Sequence, residues 1–203
     1  MPSDTSIWEI LMPNPHVQRI PREQMNPETQ EVWDLGMTRS GEADVVEVFA
    51  NSPGMMKWYF EGFYKQIFYN ENPDMKLDIR TKELLRLKLS KQHGCYFCNR
   101  WNSVDALAAG ITQEQIDNIP TPSSNIFDSR DLCVIELAEQ MMLQNMNGEL
   151  TKDLYKKLKT YYDDEQIVEM GFITAVLTGM AKYLFVFDLV TKEEICPVQN
   201  NAR

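Results

Sequence analysis

Two cysteines, Cys95 and Cys98 in "GCYFCNRWN", have the spacing and setting most suited to chemistry in this 203-residue chain. A Cys-x-x-Cys pair can close a short disulfide. At the start of a helix, unpaired amide N–H groups and the helix dipole also stabilise a thiolate, lowering a thiol pKa from ~8.5 into the range of roughly 3.5–7.5. By this criterion alone Cys95, nearer the helix end, is the better nucleophile. Asn102 lies four residues after Cys98 and so shares its helical face, where its amide can hold the sulfur by a hydrogen bond. An amide takes up no proton near pH 7, so activation must come from the helix terminus, from Glu83 through water, or from His93 just before the motif. His93 also fits a plainer role at a helix C-terminus, where the dipole favours it. Cys133 sits on the apolar stripe of "DLCVIELAEQ" and reads as a small buried residue, while Cys196, after "KEEI", reads as exposed and incidental. A zinc site usually announces itself as two ligand pairs, whereas His16, His93, Cys133 and Cys196 are each isolated. No metal ligands and no cofactor are therefore expected.

The elements that must position these residues read as helices nearly throughout. Residues 1–26 hold Pro2, Pro13, Pro15 and Pro21 without a sustained period, and are expected to form an extended arm lying on the domain or on a neighbour, with Trp8, Ile10 and Leu11 needing cover. "NPETQEVWDLG" carries an N-cap at Asn26, Pro27 at the first helical position and Gly36 as the expected stop. A short helix fits "ADVVEVFAN", and a longer one fits 52–70, with Met55, Trp58, Tyr59, Phe63 and Ile67 as its apolar stripe. In "LDIRTKELLRLKLSKQHG", Leu84, Leu85, Leu87 and Leu89 form a core face with Arg and Lys opposite, and Gly94 ends the helix. The next helix spans Cys95 to Ala109, closed by Gly110, and "TQEQIDNI" is capped by Thr112 with Gln115 three residues on. Residues 119–127 read as a linker. Helices follow over "DSRDLCVIELAEQMMLQN", "TKDLYKKLKTYY" and "DDEQIVEMGFITAVLTGMAKYLFVFDL". No strand alternation of convincing length appears, so the fold class is all-α, with boundaries at 1–26 (arm), 27–190 (helical domain) and 191–203 (tail).

"RTKELLRLKLSKQHGCYFCNRWNSVDALAAGI" resembles the signature of the carboxymuconolactone decarboxylase and alkylhydroperoxidase D family, with Glu83 twelve residues before Cys95. "IPREQMNPETQEVWD", "FANSPGMMKWYFEGFYKQI" and the last helix resemble the family's flanking segments, extending the likeness over about residues 18–190. The resemblance implies an alkylhydroperoxidase D-like helical bundle. It also implies that the second cysteine attacks a peroxide, the first resolves it as a disulfide, and a Glu, a His and water relay the proton. Carried over by position, Cys98 attacks, Cys95 resolves and Glu83 belongs to the relay. Asn102 stands where the family's hydroperoxidases place the His.

Bulk composition bounds the function. A net charge of −10 and a pI near 4.7 disfavour nucleic acid and anionic membrane surfaces, since affinity for phosphates comes mainly from Lys and Arg. The N-terminus lacks a basic region followed by an apolar run, and the apolar stretch 170–190 contains Lys182 and Asp188, so a cytoplasmic protein without a membrane span is expected. Three functions stay open: a thiol-dependent oxidoreductase that reduces a hydroperoxide or other small substrate, or exchanges disulfides, through the Cys-x-x-Cys pair, with a thiol or dithiol as reductant; a decarboxylase-type enzyme using Glu83 for acid/base work on a small carboxylated or lactone substrate; and a catalytically inactive assembly module. Phe172, Leu177, Phe185 and Leu189 fall around much of the last helix, which points to a homo-oligomer.

Overall fold

A computed structural model describes residues 12–69 and 72–193; Trp8, Ile10, Leu11 and Cys196 lie outside the described residues. Residues 12–21 run extended and lie on the domain: the Ile20 N–H donates to the Glu47 carbonyl at 3.0 Å and the Asn51 amide to the Gln18 carbonyl at 2.6 Å. Helix α1 spans Pro27–Ser40, capped by the Asn26 side chain on the Thr29 N–H. It passes through the expected stop. Gly36 is buried mid-helix, where a Cβ would stand 3.2 Å from the Glu42 carbonyl, and Gly41, at φ 75°, ends the helix instead. Close backbone approach, not chain reversal, explains Gly36.

Helix α2 (Asp44–Phe49) leads into α3 (Pro53–Lys57), which continues as a π-helical segment over Trp58–Tyr69. Hydrogen bonding from i to i+5 widens each turn, so the apolar stripe shifts from its α-helical register. Met56, Tyr59, Phe63 and Phe68 are buried, while Met55 and Trp58, expected on the stripe, are exposed.

Helix α4 (Ile79–His93) is the centre of the molecule. Asp78 caps it through the Thr81 N–H at 2.9 Å, and Gly94 ends it at φ 62°. Every residue from Thr81 to Ser90 is buried, so the polar face expected for Arg and Lys does not exist. The charged groups are accommodated by partners: Lys88 Nζ donates to the carbonyls of Ile119 and Pro120 at 3.0 and 3.2 Å and pairs with Glu139, while Arg86 is held by carboxylates. Packed against α4 are α5 (Tyr96–Ala108), α7 (Ser129–Gln140), α9 (Asp164–Val186) and the π segment; α6 (Gln113–Asn118) and α8 (Lys152–Lys159) lie further out. The capping boxes Thr112/Gln115 and Asp163/Gln166 start α6 and α9.

Among the described residues there is no strand, only an isolated bridge between Cys95 and Lys192, and the fold is all-α. The start of the tail is pinned to the cysteine motif: the Tyr96 N–H donates to the Thr191 carbonyl at 3.1 Å, and the Glu193 N–H to the Gly94 carbonyl at 2.8 Å. Helix α9 is the one described helix long and apolar enough to cross a membrane, and it buries Ile167, Met170, Ile173, Leu177, Leu184 and Phe185 in this domain.

Candidate active site

Helices α4 and α5 meet along two stripes. Glu83, Arg86, Ser90 and His93 recur at helical intervals on α4, and Cys98, Asn102 and Asp105 recur on α5, so each set shares one face. Cys95 is the N-cap of α5 and is joined to Cys98 by a disulfide, with the Cys98 N–H donating to Cys95 Sγ at 3.2 Å. The two sulfurs differ in access. Cys95 is 1% exposed, whereas Cys98 is half-buried and lines an open cleft of about 560 Å³.

The cleft wall is largely aromatic and aliphatic, with Leu35, Tyr64, Phe97, Trp101 and Met180 beside Cys98, while Glu28, Glu31, Glu61 and Lys65 stand among its charged residues. Its size suits a small organic ligand. A second cavity of about 50 Å³ lies between the two stripes, bounded by Arg86, Ser90, His93, both cysteines and Asn102 on one side and by Leu89, Leu177, Met180 and Leu184 on the other, and is large enough for a water beside those polar groups.

Behind this wall is a network of charges. Arg86 donates through Nε and Nη2 to Glu83 Oε2 at 2.9 and 2.6 Å, and Nη2 also donates to Asp105 Oδ2 at 2.8 Å. Asp105 further accepts from Arg39 Nη1 at 3.0 Å and from the Tyr69 hydroxyl at 2.9 Å. The guanidinium carbon of Arg86 lies 4.4 Å from the centre of the Phe68 ring, and Arg86 Nη1 is buried without a hydrogen-bond partner among the described residues. An aromatic face offers that side of the cation an electrostatic partner instead. Burial pushes the Glu83 carboxyl up to about 7, against the opposing pull of Arg86. Burial and the aspartate raise Tyr69 to about 12 in spite of Arg86.

The remaining candidates occupy definite positions. Asn102 is 4% exposed and lines both cavities; its amide reaches the Arg86 carbonyl at 3.5 Å, a long contact. His93 lines the small cavity, but its Nε2 accepts the Leu143 N–H at 3.1 Å, and burial lowers its pKa to about 4. That leaves the imidazole neutral, with its ε lone pair already engaged. Cys133 is buried, its thiol donates to the Arg130 carbonyl at 3.1 Å, and burial raises its pKa to about 11, the profile of an unreactive thiol. Among the described residues no three His, Cys, Asp or Glu side chains gather as a metal site.

Sequence reasoning missed Arg86, Asp105, Arg39 and Tyr69. Arg86 falls three residues after Glu83 and Asp105 three after Asn102, so their shared faces were available as a signal once α4 was known to be surrounded.

Residues 55–124 match the model of the carboxymuconolactone decarboxylase family. The uncharacterized protein YdfG of Bacillus subtilis (strain 168) is 27% identical over 94 residues, which is 46% of this chain and 63% of that protein, so the match spans under two thirds of the relative. Among solved structures, an uncharacterized peroxidase-related protein from Silicibacter sp. TM1040 is similar, with a TM-score of 0.65 and 14% identity over 92% of this chain and 96% of that one. The debrominase Bmp8 in complex with 2,3,4-tribromopyrrole has a TM-score of 0.64 at 16% identity, with the same coverage. An alkylhydroperoxidase AhpD core protein from Ralstonia eutropha JMP134 has a TM-score of 0.63 at 11% identity over 88% of this chain and 94% of that one. At these identities the likenesses show the fold.

Proposed function

We propose that this chain, whose residues 55–124 match the carboxymuconolactone decarboxylase family model, is a thiol-dependent oxidoreductase that reduces a small organic hydroperoxide in the cleft. The observation that carries this reading is the pairing of a cleft-facing Cys98 with a buried Cys95 one helical turn away. In the reduced protein the Cys98 thiolate attacks the terminal peroxide oxygen. An S–O bond forms, the O–O bond breaks, and the alkoxide leaves as an alcohol after taking a proton. Cys95 then attacks the Cys98 sulfenic acid: an S–S bond forms, the S–O bond breaks, and water leaves. The pair has given up two electrons, and an external thiol or dithiol of a reducing compartment such as the cytoplasm returns it to the dithiol.

Access decides the order of attack. A substrate in the cleft meets Cys98, and the resolving step needs only the neighbouring sulfur. Asn102 takes up no proton, and His93 has its lone pair engaged, so Glu83, which lines neither cavity but is ion-paired to the cavity-lining Arg86, is the group suited to proton exchange near neutral pH. The same proton affinity favours a second reading, acid/base chemistry on a carboxylated or lactone substrate with Glu83 as the proton-transfer residue and the thiols as bystanders.

One experiment separates them. Alkylation and mass spectrometry before and after one equivalent of cumene hydroperoxide should show Cys95 and Cys98 bridged and Cys133 free, with Cys98→Ser abolishing peroxide consumption. A bridge through Cys133, or peroxide consumption untouched by Cys98→Ser, would sink the thiol reading.

A further inference from the structure

The carboxylates behind the cysteine pair are unequally provided for. Glu83 is 1% exposed and, among the described residues, receives donors from Arg86 alone, whereas Asp105 receives Arg86, Arg39 and Tyr69. Both draw on the same nitrogen: Arg86 Nη2 stands 2.6 Å from Glu83 Oε2 and 2.8 Å from Asp105 Oδ2. An arginine held by one carboxylate fixes that carboxylate in its ionised form; an arginine divided between two holds each less firmly, and each disfavours ionisation of the other. Asp105 stands on the face of α5 that also carries Cys98 and Asn102, and the Asn102 amide reaches the Arg86 backbone.

Resting on the thiol reading above, we propose that Asp105 is a positioning residue: by sharing Arg86 it keeps Glu83 from being locked as a carboxylate, so that Glu83 can take up the Cys98 proton and return it to the leaving alkoxide. The charged and titratable groups around Glu83 are Arg86 on α4, Asp105 on α5, Arg39 on α1, and Tyr64 and Tyr69 on the π segment, which face Arg86. Arg39 works against Asp105. Its guanidinium lies on the far side of the aspartate at 3.0 Å and partly neutralises it. The elevated proton affinity of Glu83 agrees with this arrangement.

Two substitutions of opposite sign test the assignment. Infrared difference spectra of the reduced full-length protein, with Glu83→Gln identifying the band, give the pH at which the Glu83 carboxyl titrates. Asp105→Asn should move that midpoint down by about one pH unit, and Arg39→Gln should move it up. The pH profile of Cys98 alkylation by iodoacetamide should shift with the carboxyl in each variant, and Asp105→Asn should no longer move it in a Glu83→Gln background. An unmoved Glu83 midpoint overturns the proposal. So does a moved midpoint with an unmoved alkylation profile, or a shift that survives Glu83→Gln. Should Asp105→Asn fail to fold, Arg39→Gln decides alone, an upward shift supporting the assignment and no shift refuting it. If both profiles move as expected while the wild type consumes no peroxide, the link from Asp105 through Glu83 to Cys98 stands and the hydroperoxide reading falls.

Discussion

At the scale of single residues, the chemistry depends on where a proton can go. Asn102 occupies the wall shared by both cavities and sits one turn from Cys98, and its amide takes up no proton near neutral pH. General base assistance typically contributes about 10²–10⁴-fold, so under the proposed thiol mechanism an imidazole at this position should add to whatever Glu83 supplies. Asn102→His should therefore raise peroxide turnover, measured at neutral pH on the dithiol-reduced protein, by a factor of ten or more on the order of that contribution. The buried Arg86 beside it favours a neutral imidazole, which is the form able to accept. If the variant is no faster than the wild type, Asn102 does not stand in the path of the proton. The placement of this residue beside the cysteines is legible in the sequence because their spacing is local. Arg86 is not: its role depends on a helix, α5, that closes over it from another part of the chain.

At the scale of elements, legibility follows the range of the interaction that fixes each boundary. Asn26 and Thr112 cap their helices as their local sequences suggest, because a cap is a contact within one turn. Gly36 has the local look of a helix stop and is not one, since its reason is a tertiary approach of the Glu42 carbonyl. The π segment escaped for a related reason: an α-helical stripe and a π-helical one use the same apolar residues in different registers, and packing of Tyr59, Phe63 and Phe68 selects the wider turn. His93 belongs here too, because it joins two elements. Its Nε2 accepts the Leu143 N–H and so ties the end of α4 to the stretch that follows α7. That hydrogen bond exists only for the neutral ring, and burial lowers the folded-state pKa from 6.5 to about 4. Below pH 6.5 the unfolded chain takes up a proton that the folded chain refuses, so the stability contributed by His93 is present above 6.5 and is lost as pH falls towards about 4. His93→Gln keeps an acceptor and removes the titration. Urea unfolding across this window should show a shallower acid loss for the variant than for the wild type; equal slopes would mean that His93 does not stay neutral in the fold.

At the scale of the whole molecule, α9 has more apolar surface than the described residues cover. Leu177, Phe185 and Leu189 are buried within the domain, but Val168, Phe172 and Val186 are 70%, 67% and 62% exposed. They lie at intervals of four and fourteen residues along one side of the helix, with exposed Ala175 and Gly179 between Phe172 and Val186 and with Lys182 as the charge that interrupts the row. Isolated exposed apolar residues are ordinary, whereas a row along a helix of this length marks a surface that another helix covers. Small residues suit that purpose: a Cβ added at Gly171 or Gly179 would meet nothing within 4 Å, so a partner helix can approach the α9 backbone closely. The simplest occupant is a second copy of α9 related by two-fold symmetry, since paired identical surfaces are the commonest closed assembly. An obligate interface of this kind would bury upwards of roughly 2,000 Å². Light scattering at micromolar concentration should accordingly give a multiple of the 23.6 kDa chain mass. Phe172→Glu, which places a carboxylate in the middle of the row, should return the mass to that of one chain, while leaving Cys95 and Cys98 able to form their disulfide because Phe172 lines neither cavity. A wild-type chain that stays folded as a monomer at that concentration would refute the pairing, and a Phe172→Glu protein that remains oligomeric would move the interface to another face.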